Sequence, residues 1–281
     1  AMSGVAAVSD ASGRQLDRLS EAAIRAGQAT VFSASEAATA EAELAKAGVS
    51  TADILGGALS GSLDLAAAGQ IDLGEAATIA AQAMNIFNLS GADVAHVADV
   101  LAAGANKSAA DVSQLGQALQ QGGLLAKQTG LSIEETVGAL ALFADNALIG
   151  SDAGTSLKTM LQRLTPQSGE AEAAMESLGI SAYDASGQFV GLDAFAQNLR
   201  ASLKDLTPEQ RNSALATIFG SDAVRAANIV YEAGGRGSRD YTTAVADQGA
   251  ASRMAGKQMD NLAGDLEQLK GSLETALIQG G

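Results

Sequence analysis

The residues best suited to metal chemistry in this sequence surround its single histidine, His96. Asp93 and Asp99 lie three residues to either side, so a helix would place all three side chains on one face. Two carboxylates and an imidazole could hold a metal ion, but the spacing indicates no fourth ligand. We therefore interpret His96 as a surface histidine with carboxylate neighbours.

A run of small residues from Gly150 to Thr155 has the composition of an anion-binding turn at a helix N-terminus. It lacks the lysine with which a P-loop holds phosphates, so we do not expect a nucleotide there. The alternative is structural, because Ala153 and Gly154 would allow two helices to approach each other closely. We favour this second interpretation, in which the run is a packing joint.

The remaining candidate positions also have simple structural interpretations. The pair Gly122-Gly123 and the run GGRGS at 234–238 favour kinks or joints over phosphate loops. Glu172 and Glu176 lie four residues apart, as is typical of solvated charge on an exposed helix face. No Ser-His-Asp or Cys-His arrangement can be proposed, and no G-x-S-x-G motif occurs. We therefore expect no catalytic, cofactor-binding or metal-binding residues, no cofactor and no enzyme activity.

The composition predicts that helices position whatever residues carry the function. Of the 281 residues, 47% are hydrophobic but only 3% are aromatic, tryptophan is absent and there are two prolines. Much of the apolar content is alanine, which favours helix and offers little area to bury. We expect a mainly α fold whose helices pack closely through small residues.

Charge and cysteine content exclude several classes of site and partner. The formal net charge is −15 and no stripe of Lys and Arg is visible, which argues against nucleic acid recognition. The absence of cysteine excludes disulfides, thiolate catalysis and zinc–thiolate sites. No window of about 20 apolar residues occurs, and the N-terminal AMSGVAAVSDASGR lacks a signal-peptide core. We expect this segment to be soluble and to make no membrane contact.

Helix stop and start signals alternate along the first half of the chain. A cap residue followed three positions later by a carboxylate marks helix starts at Ser33, Ser50, Asp72, Ser90, Ser108 and Ser132. Residues able to take a left-handed cap precede five of them: Gly48, Gly69, Asn88, Gly104 and Gly130. Each interval fits one helix and a tight loop, and short loops make neighbouring helices antiparallel. The pattern predicts an all-α antiparallel helical-hairpin bundle or a repeat-like array.

The best specified unit of this series runs from Gly130 to Pro166. Ser132 and Glu135 predict a capping box at the start of a helix that is apolar on two sides and therefore buried. We place the turn to the next helix at 150–152. Pro166 ends that helix, because the residue before a proline avoids helical geometry.

The sequence after Pro166 contains the one strand signal. Residues 180–183 and 188–190 flank a turn and predict a small β-hairpin near 180–190, which should lean on a helix. Helices are predicted at 192–205 and 208–219, followed by another from Ser221 to Tyr231.

These features divide the chain into four parts. Residues 1–178 form the helical-hairpin bundle, and 179–233 add a small hairpin and helices that complete it. Residues 234–238 are a flexible joint, and 239–281 are a C-terminal helix or coiled-coil segment.

Apolar residues near the C-terminus recur at intervals of three and four: Met259, Leu262, Leu266, Leu269 and Leu273. This spacing is typical of a coiled-coil seam about two to three heptads long. Gly264 and Gly271 weaken the seam, so it needs a partner or a continuation. Two interpretations stay open: self-association through this helix, or an amphipathic helix that folds back onto the bundle.

Six pieces in a fixed order resemble the core module of bacteriophage tail tape measure proteins, found in long-tailed phages and prophages. They are ATVFSASEAATAEAELAKAG (29–48), DLAAAGQIDLGEAATIAAQAMNIFNLS (64–90), VADVLAAGANKSAADVSQLGQAL (97–119), AKQTGLSIEETVGALALFADNALIGSDAGTSLKTMLQRLTP (126–166), LGISAYDASGQFVGL (178–192) and IFGSDAVRAA (218–227). The resemblance covers about 30–279. The family's usual G-x-x-G-S-x-A-G-T turn differs here at 146–150, which concerns local turn geometry.

The resemblance implies a structural role in virion assembly. Such proteins are long helical rods around which tail-tube subunits polymerise, so that rod length sets tail length. It implies tail tube protein, tail assembly chaperones and distal-tail or baseplate proteins as partners. It also implies a place in the tube lumen of the virion tail after assembly in the bacterial cytoplasm. We expect this module to be a folded domain at one end of the rod or within it, and residues after 239 to begin the extended part.

Two other functions compete with this one. The first is a helical-repeat module that binds other proteins and has no ruler role. The second is a non-catalytic part of a tail-associated cell-wall hydrolase, because some tape measure proteins carry such domains.

Overall fold

The computed structural model describes residues 2–259 and 262–280, with side chains placed for 2–258 and 266–278. It divides into two compact units, residues 1–103 with 247–281 (unit 1) and residues 104–246 (unit 2). Both are built from helices, which confirms the predicted mainly α class. The four-part division made from the sequence stays a prediction.

The helices are bounded as follows, in chain order. They are α1 (Met2–Val8), α2 (Gly13–Ala29), α3 (Ala34–Lys46), α4 (Thr51–Asp53), α5 (Leu59–Gly69), α6 (Leu73–Phe87), α7 (Val94–Lys107), α8 (Val112–Thr129), α9 (Ile133–Asp145), α10 (Gly150–Gln162), α11 (Gly169–Leu178), α12 (Leu192–Leu203), α13 (Pro208–Val245), α14 (Ala250–Met259) and α15 (Leu262–Gly280). A π-helical turn (Ile54–Ala58) joins α4 to α5, and a 3-10 turn (Gly91–Asp93) precedes α7.

Most of the predicted helix starts are confirmed by their cap hydrogen bonds. The Ser33 and Ser132 hydroxyls accept from the N–H groups of Glu36 and Glu135, whose carboxylates accept in return from the cap backbones. Asp72 caps α6 through the N–H groups of Gly74 and Glu75. These caps explain why short alanine-rich helices begin where they do.

Three of the predicted boundaries are wrong. Ser108 does not start a helix: its hydroxyl donates to the Gly104 carbonyl, and Asp111 caps α8 instead, three residues later. Gly104 itself lies inside α7 rather than at its end. The left-handed residue after α5 is Gln70, not Gly69. Each error has the same source, because neighbouring glycine and polar residues offer nearly equivalent caps.

The predicted turn at 150–152 is also displaced. Helix α9 ends at Asp145 and α10 already begins at Gly150, so the connection is 146–149. Ala147 adopts a positive φ of 58° there. Leu148 is a buried residue of this connection.

The β-hairpin near 180–190 is absent from the described residues as a pair of strands. A single antiparallel bridge joins Tyr183 and Phe189, and Asp184 organises the turn by accepting from the backbone N–H groups of Ser186 and Gln188. The segment is anchored by ring contacts instead. Phe189 lies 6.4 Å from Phe195 of α12. With no further strand to extend the bridge, side-chain packing fixes the segment.

Small residues bring two backbones together at one helix crossing in the core of unit 1. A Cβ built on Gly57 would lie 2.7 Å from the carbonyl oxygen of Gly91, and one on Gly61 would lie 2.7 Å from the backbone of Val94. The π-helical turn and the start of α5 therefore cross the start of α7 at backbone contact. Asp53 fastens this crossing by accepting from the Gly91 N–H at 2.8 Å.

Unit 2 has a core of larger side chains. Phe195 of α12 and Phe219 of α13 are fully buried and meet edge to face at 6.4 Å. Phe143 of α9 is also fully buried, as are Leu115 and Leu119 of α8 to within 2%. The buried two-sided helix predicted after Ser132 is confirmed, because 133 and 136–144 of α9 are all buried.

Among the described residues, no single helix is both long and apolar enough to span a membrane. The bent pair Leu73–Phe87 and Gly91–Lys107, which turns through 117°, meets those limits of length and composition only when both members are counted together.

Candidate functional surface

Asp93 and Asp99, the two carboxylate neighbours of His96 in the sequence, have separate roles in unit 1. Asp93 closes the capping box of the 3-10 turn by accepting from the Ser90 N–H at 2.8 Å and the Ser90 hydroxyl at 2.7 Å. These hydrogen bonds lower the pKa of Asp93, and the nearby charge of His96 lowers it further. The Asp93 carboxylate therefore serves as part of the cap, and His96 interacts with it electrostatically.

The Asp99 side chain has a different role, because it caps the N-terminus of α14. Its carboxylate accepts from the N–H of Gly249 at 2.7 Å and from the N–H of Ala251 at 3.0 Å. Asp64 of α5 accepts from the Ser252 hydroxyl beside it, and burial, together with the charge of Asp99, raises the pKa of Asp64. The carboxylates therefore complement the partial positive charge at the N-terminus of α14. Over the described ranges, the structure brings together no three His, Cys, Asp or Glu side chains that could hold a metal ion.

The small residues at 150–155 are engaged in helix packing, as the second interpretation predicted. A Cβ on Gly154 would lie 2.1 Å from the Ala118 carbonyl oxygen, and one on Gly122 would lie 2.6 Å from the Gly154 carbonyl oxygen. Helices α8 and α10 are thus in direct backbone contact. The residues considered as an anion-binding turn therefore form the first turns of α10 and pack against α8.

The glycine-rich run 234–238 lies inside α13 and not in a loop. Helix α13 is broken at Gly234, where φ is +62°, and the guanidinium of Arg200 donates to the carbonyl of Glu232 at 2.9 Å. A Cβ on Gly235 would lie 2.7 Å from the carbonyl oxygen of Asp193 at the start of α12. The run therefore kinks the helix and lets α12 approach. That it is flexible stays a prediction.

Glu172 and Glu176 both lie on the exposed side of α11. This position agrees with the interpretation of the pair as solvated charge.

The C-terminal helix α15 presents an unusual surface, because its leucine face points outward. Leu266, Leu269 and Leu273 are 61%, 59% and 59% exposed. The opposite face packs inward in unit 1 through small residues: Thr275 is 1% exposed, and a Cβ on Gly271 would lie 3.3 Å from the carbonyl oxygen of Phe32. The seam residues Met259 and Leu262 lie outside the part of the chain whose side chains are described.

Both predicted interpretations of α15 therefore have support within one helix. Its small-residue face is folded back onto the first helices of unit 1, as an amphipathic helix would be. Its leucine face is left without a partner among the described residues. A row of exposed leucines at intervals of three and four residues is typical of a protein–protein contact.

Two features of the structure gave no signal in the sequence: a cluster around Tyr241 and a buried carboxyl group. In unit 2, the carboxylate of Asp145 accepts from the hydroxyl of Tyr241 and the N–H of Ala109, while Lys107 lies 5.0 Å from the centre of the Tyr241 ring. Burial and the hydrogen bond to Asp145 raise the pKa of Tyr241 to about 12. In unit 1, Glu41 is completely buried. The residues of the Tyr241 cluster lie far apart along the chain, so no local sequence pattern shows that they meet.

Comparison with known proteins identifies the class to which this helical architecture belongs. The family of phage-related minor tail proteins matches residues 20–220, so the chain belongs to that family. Two curated relatives are more specific. The chain is 34% identical over 278 residues to the "Tape measure protein" of Pneumococcus phage Dp-1. It is 32% identical over 264 residues to the "Probable tape measure protein" of Escherichia phage P2.

The two alignments cover 99% and 92% of this chain but only 24% and 32% of the relatives. The chain thus spans about a quarter to a third of the length of these relatives. No solved structure matches it. The resemblance to tape measure proteins stated from the sequence is confirmed.

Proposed function

We propose that this chain is the folded module of a phage tail tape measure protein, which acts in tail assembly and determines tail length inside the tail tube. The observation that carries the proposal is the match to two tape measure proteins along almost the whole chain. Membership of a family of tail proteins supports a structural, non-enzymatic role.

Because residues 247–281 belong to compact unit 1, the proposal assigns the ruler itself to helical sequence outside this module and not to the residues after 239. Both relatives extend well beyond the matched region, and an extended helix adds about 1.5 Å per residue. A pair of compact units does not lengthen in this way. In the proposal, the module is the folded part from which the rod extends, and it contacts tail tube protein, assembly chaperones and distal-tail or baseplate proteins.

Self-association through α15 is part of the proposal. A heptad with Leu266 at position a places Leu269 at d and Leu273 at the next a. The exposure of these three leucines favours a contact between copies of the chain through this face of α15.

The proposed place in the tail can be tested with an epitope tag before residue 2 in the phage that encodes this chain. We expect the tag to co-purify with tails and to resist protease in intact tails but not in tails opened by denaturant. A tagged capsid protein and a tagged outer tail protein serve as controls for protection and access. Absence of the tag from purified tails, or equal cleavage in intact and opened tails, would contradict a place in the tube lumen.

A further inference from the structure

A basic cleft in unit 2 is not used by anything described above. Its walls are Gln197, Arg200, Ala201 and Lys204 of α12 and residues 233–236 of α13, and its volume is about 480 Å³. Three of these residues are cations: Arg200, Lys204 and Arg236. No aspartate or glutamate lines the cleft, in a chain whose formal net charge is −15.

Two further arginines of α13 lie outside the lining of the cleft, and both are paired. Arg239 donates to the Asp193 carboxylate from two nitrogens, at 3.0 and 2.7 Å, and Arg211 lies 3.7 Å from the Glu232 carboxylate. For Lys204 and Arg236, no carboxylate partner is found among the described residues. The cleft therefore concentrates positive charge that the protein does not neutralise itself.

The backbone holds this cleft in shape. Gly235 brings α13 against the start of α12, and Gly234, which has no side chain, leaves room for the side chain of Arg200 against the break in α13. A Cβ on Gly234 would lie 2.9 Å from Cδ of Arg200. Arg200 is fixed further by its bond to the Glu232 carbonyl. One guanidinium is thus positioned in advance, while Lys204 and Arg236 are exposed beside it.

We propose that this cleft binds an acidic segment of a partner protein. Carboxylates match the guanidinium groups of Arg200 and Arg236, which can each bind one through two parallel hydrogen bonds. Charges beyond about 8–10 Å are screened at physiological salt, so a bound segment responds mainly to the charges of the lining and its immediate surroundings.

Nucleic acid fits the same cleft less well. A strand extends far beyond three cations and would meet the negative charge of the rest of the chain. The lining also holds no aromatic side chain on which a base could stack. The proposal does not depend on the role in tail-length determination.

The test is fluorescence anisotropy on the full chain with a labelled ten-residue peptide rich in glutamate, at low salt. We expect Arg236→Glu and Lys204→Glu each to weaken peptide binding by about tenfold or more. Lys127→Glu, which changes an exposed lysine of the same unit by the same charge, is the matched control and should leave binding within about twofold. Circular dichroism melting confirms that each variant is folded.

Four outcomes would overturn the proposal. They are the absence of peptide binding, an equal loss in Lys127→Glu, full competition by inorganic phosphate at the peptide's own concentration, and tighter binding of a single-stranded oligonucleotide that the same two variants abolish. Weakening confined to Arg236→Glu and Lys204→Glu, with neither competitor effective, supports it.

Discussion

Gly154 and Ala118 meet so closely that a Cβ on the glycine would lie 2.1 Å from the alanine carbonyl oxygen. This contact joins α10 to α8 in the core of unit 2. It shows how a chain with few aromatic residues makes a dense core: helices approach until their backbones touch, and dispersion contacts replace large side chains. A single methyl group added at such a contact should therefore lower the stability of unit 2.

We predict that Gly154→Ala destabilises unit 2 by about 3 kcal/mol or more, because the added methyl forces α8 and α10 apart. Urea unfolding followed by circular dichroism measures the change. Gly169→Ala is the control, since a Cβ there meets nothing within 4 Å; its effect should stay within about 0.5 kcal/mol. Equal stabilities for the two variants would show that unit 2 does not need the backbone contact between α8 and α10 for its stability.

Glu41 of α3 is a carboxyl group placed in an apolar interior. It is 0% exposed, and neither of its oxygens has a hydrogen-bond partner among the described residues. Burial raises its pKa from 4.5 to about 8. The folded protein therefore holds the Glu41 proton at neutral pH, whereas the unfolded chain releases it.

The sign of this shift gives a pH dependence for unit 1. Stability contributed by protonated Glu41 is complete below about pH 4.5 and is lost as pH rises to about 8, a change of roughly 5 kcal/mol. Glu41→Gln carries no titratable proton, so its stability relative to the wild type should increase across that window. Thermal unfolding at pH 5 and pH 8 measures the difference.

The control for Glu41 is Asp10→Asn, which changes an exposed carboxylate in the same unit. Its stability relative to the wild type should be nearly the same at both pH values. If the difference in stability between the wild type and Glu41→Gln is the same at both pH values, Glu41 is not held in a buried, protonated state.

The leucine face of α15 gives a prediction about association. Replacing Leu266, Leu269 and Leu273 together by serine should abolish self-association, because these exposed side chains form the seam. Sedimentation equilibrium over a range of concentrations measures the mass. Leu124→Ser changes an equally exposed leucine (58%) on α8 and should leave association unchanged. A wild-type chain that is monomeric at all concentrations would contradict self-association through the leucine face of α15.

Local sequence signals predicted the helical class and most helix starts, because a cap needs only a side chain and the residue three positions on. Ser33, Asp72 and Ser132 are examples. The same reasoning was wrong for Ser108, where Asp111 offers a competing cap. It was also wrong for the hairpin at 180–190, where the contact of Phe189 with Phe195 took the place of strand pairing.

The surfaces were harder to predict than the elements. Asp99 was correctly placed on a helix face with His96, but its partners Gly249 and Ala251 lie about 150 residues away in the chain. The basic cleft combines α12 with a break in α13, so neither sequence segment alone shows a cluster of charge. Such sites depend on tertiary contacts, which the periodicity of the sequence does not reveal.

The central claim is best tested by the length of tails in the phage that encodes this chain. In-frame deletions of about 40, 80 and 120 residues are made in helical sequence outside the module, with residues 1–281 unchanged. Tails seen by electron microscopy are expected to shorten by about 1.5 Å per residue removed, so that the smallest deletion shortens them by about 60 Å. Tails of unchanged length would contradict the proposed role.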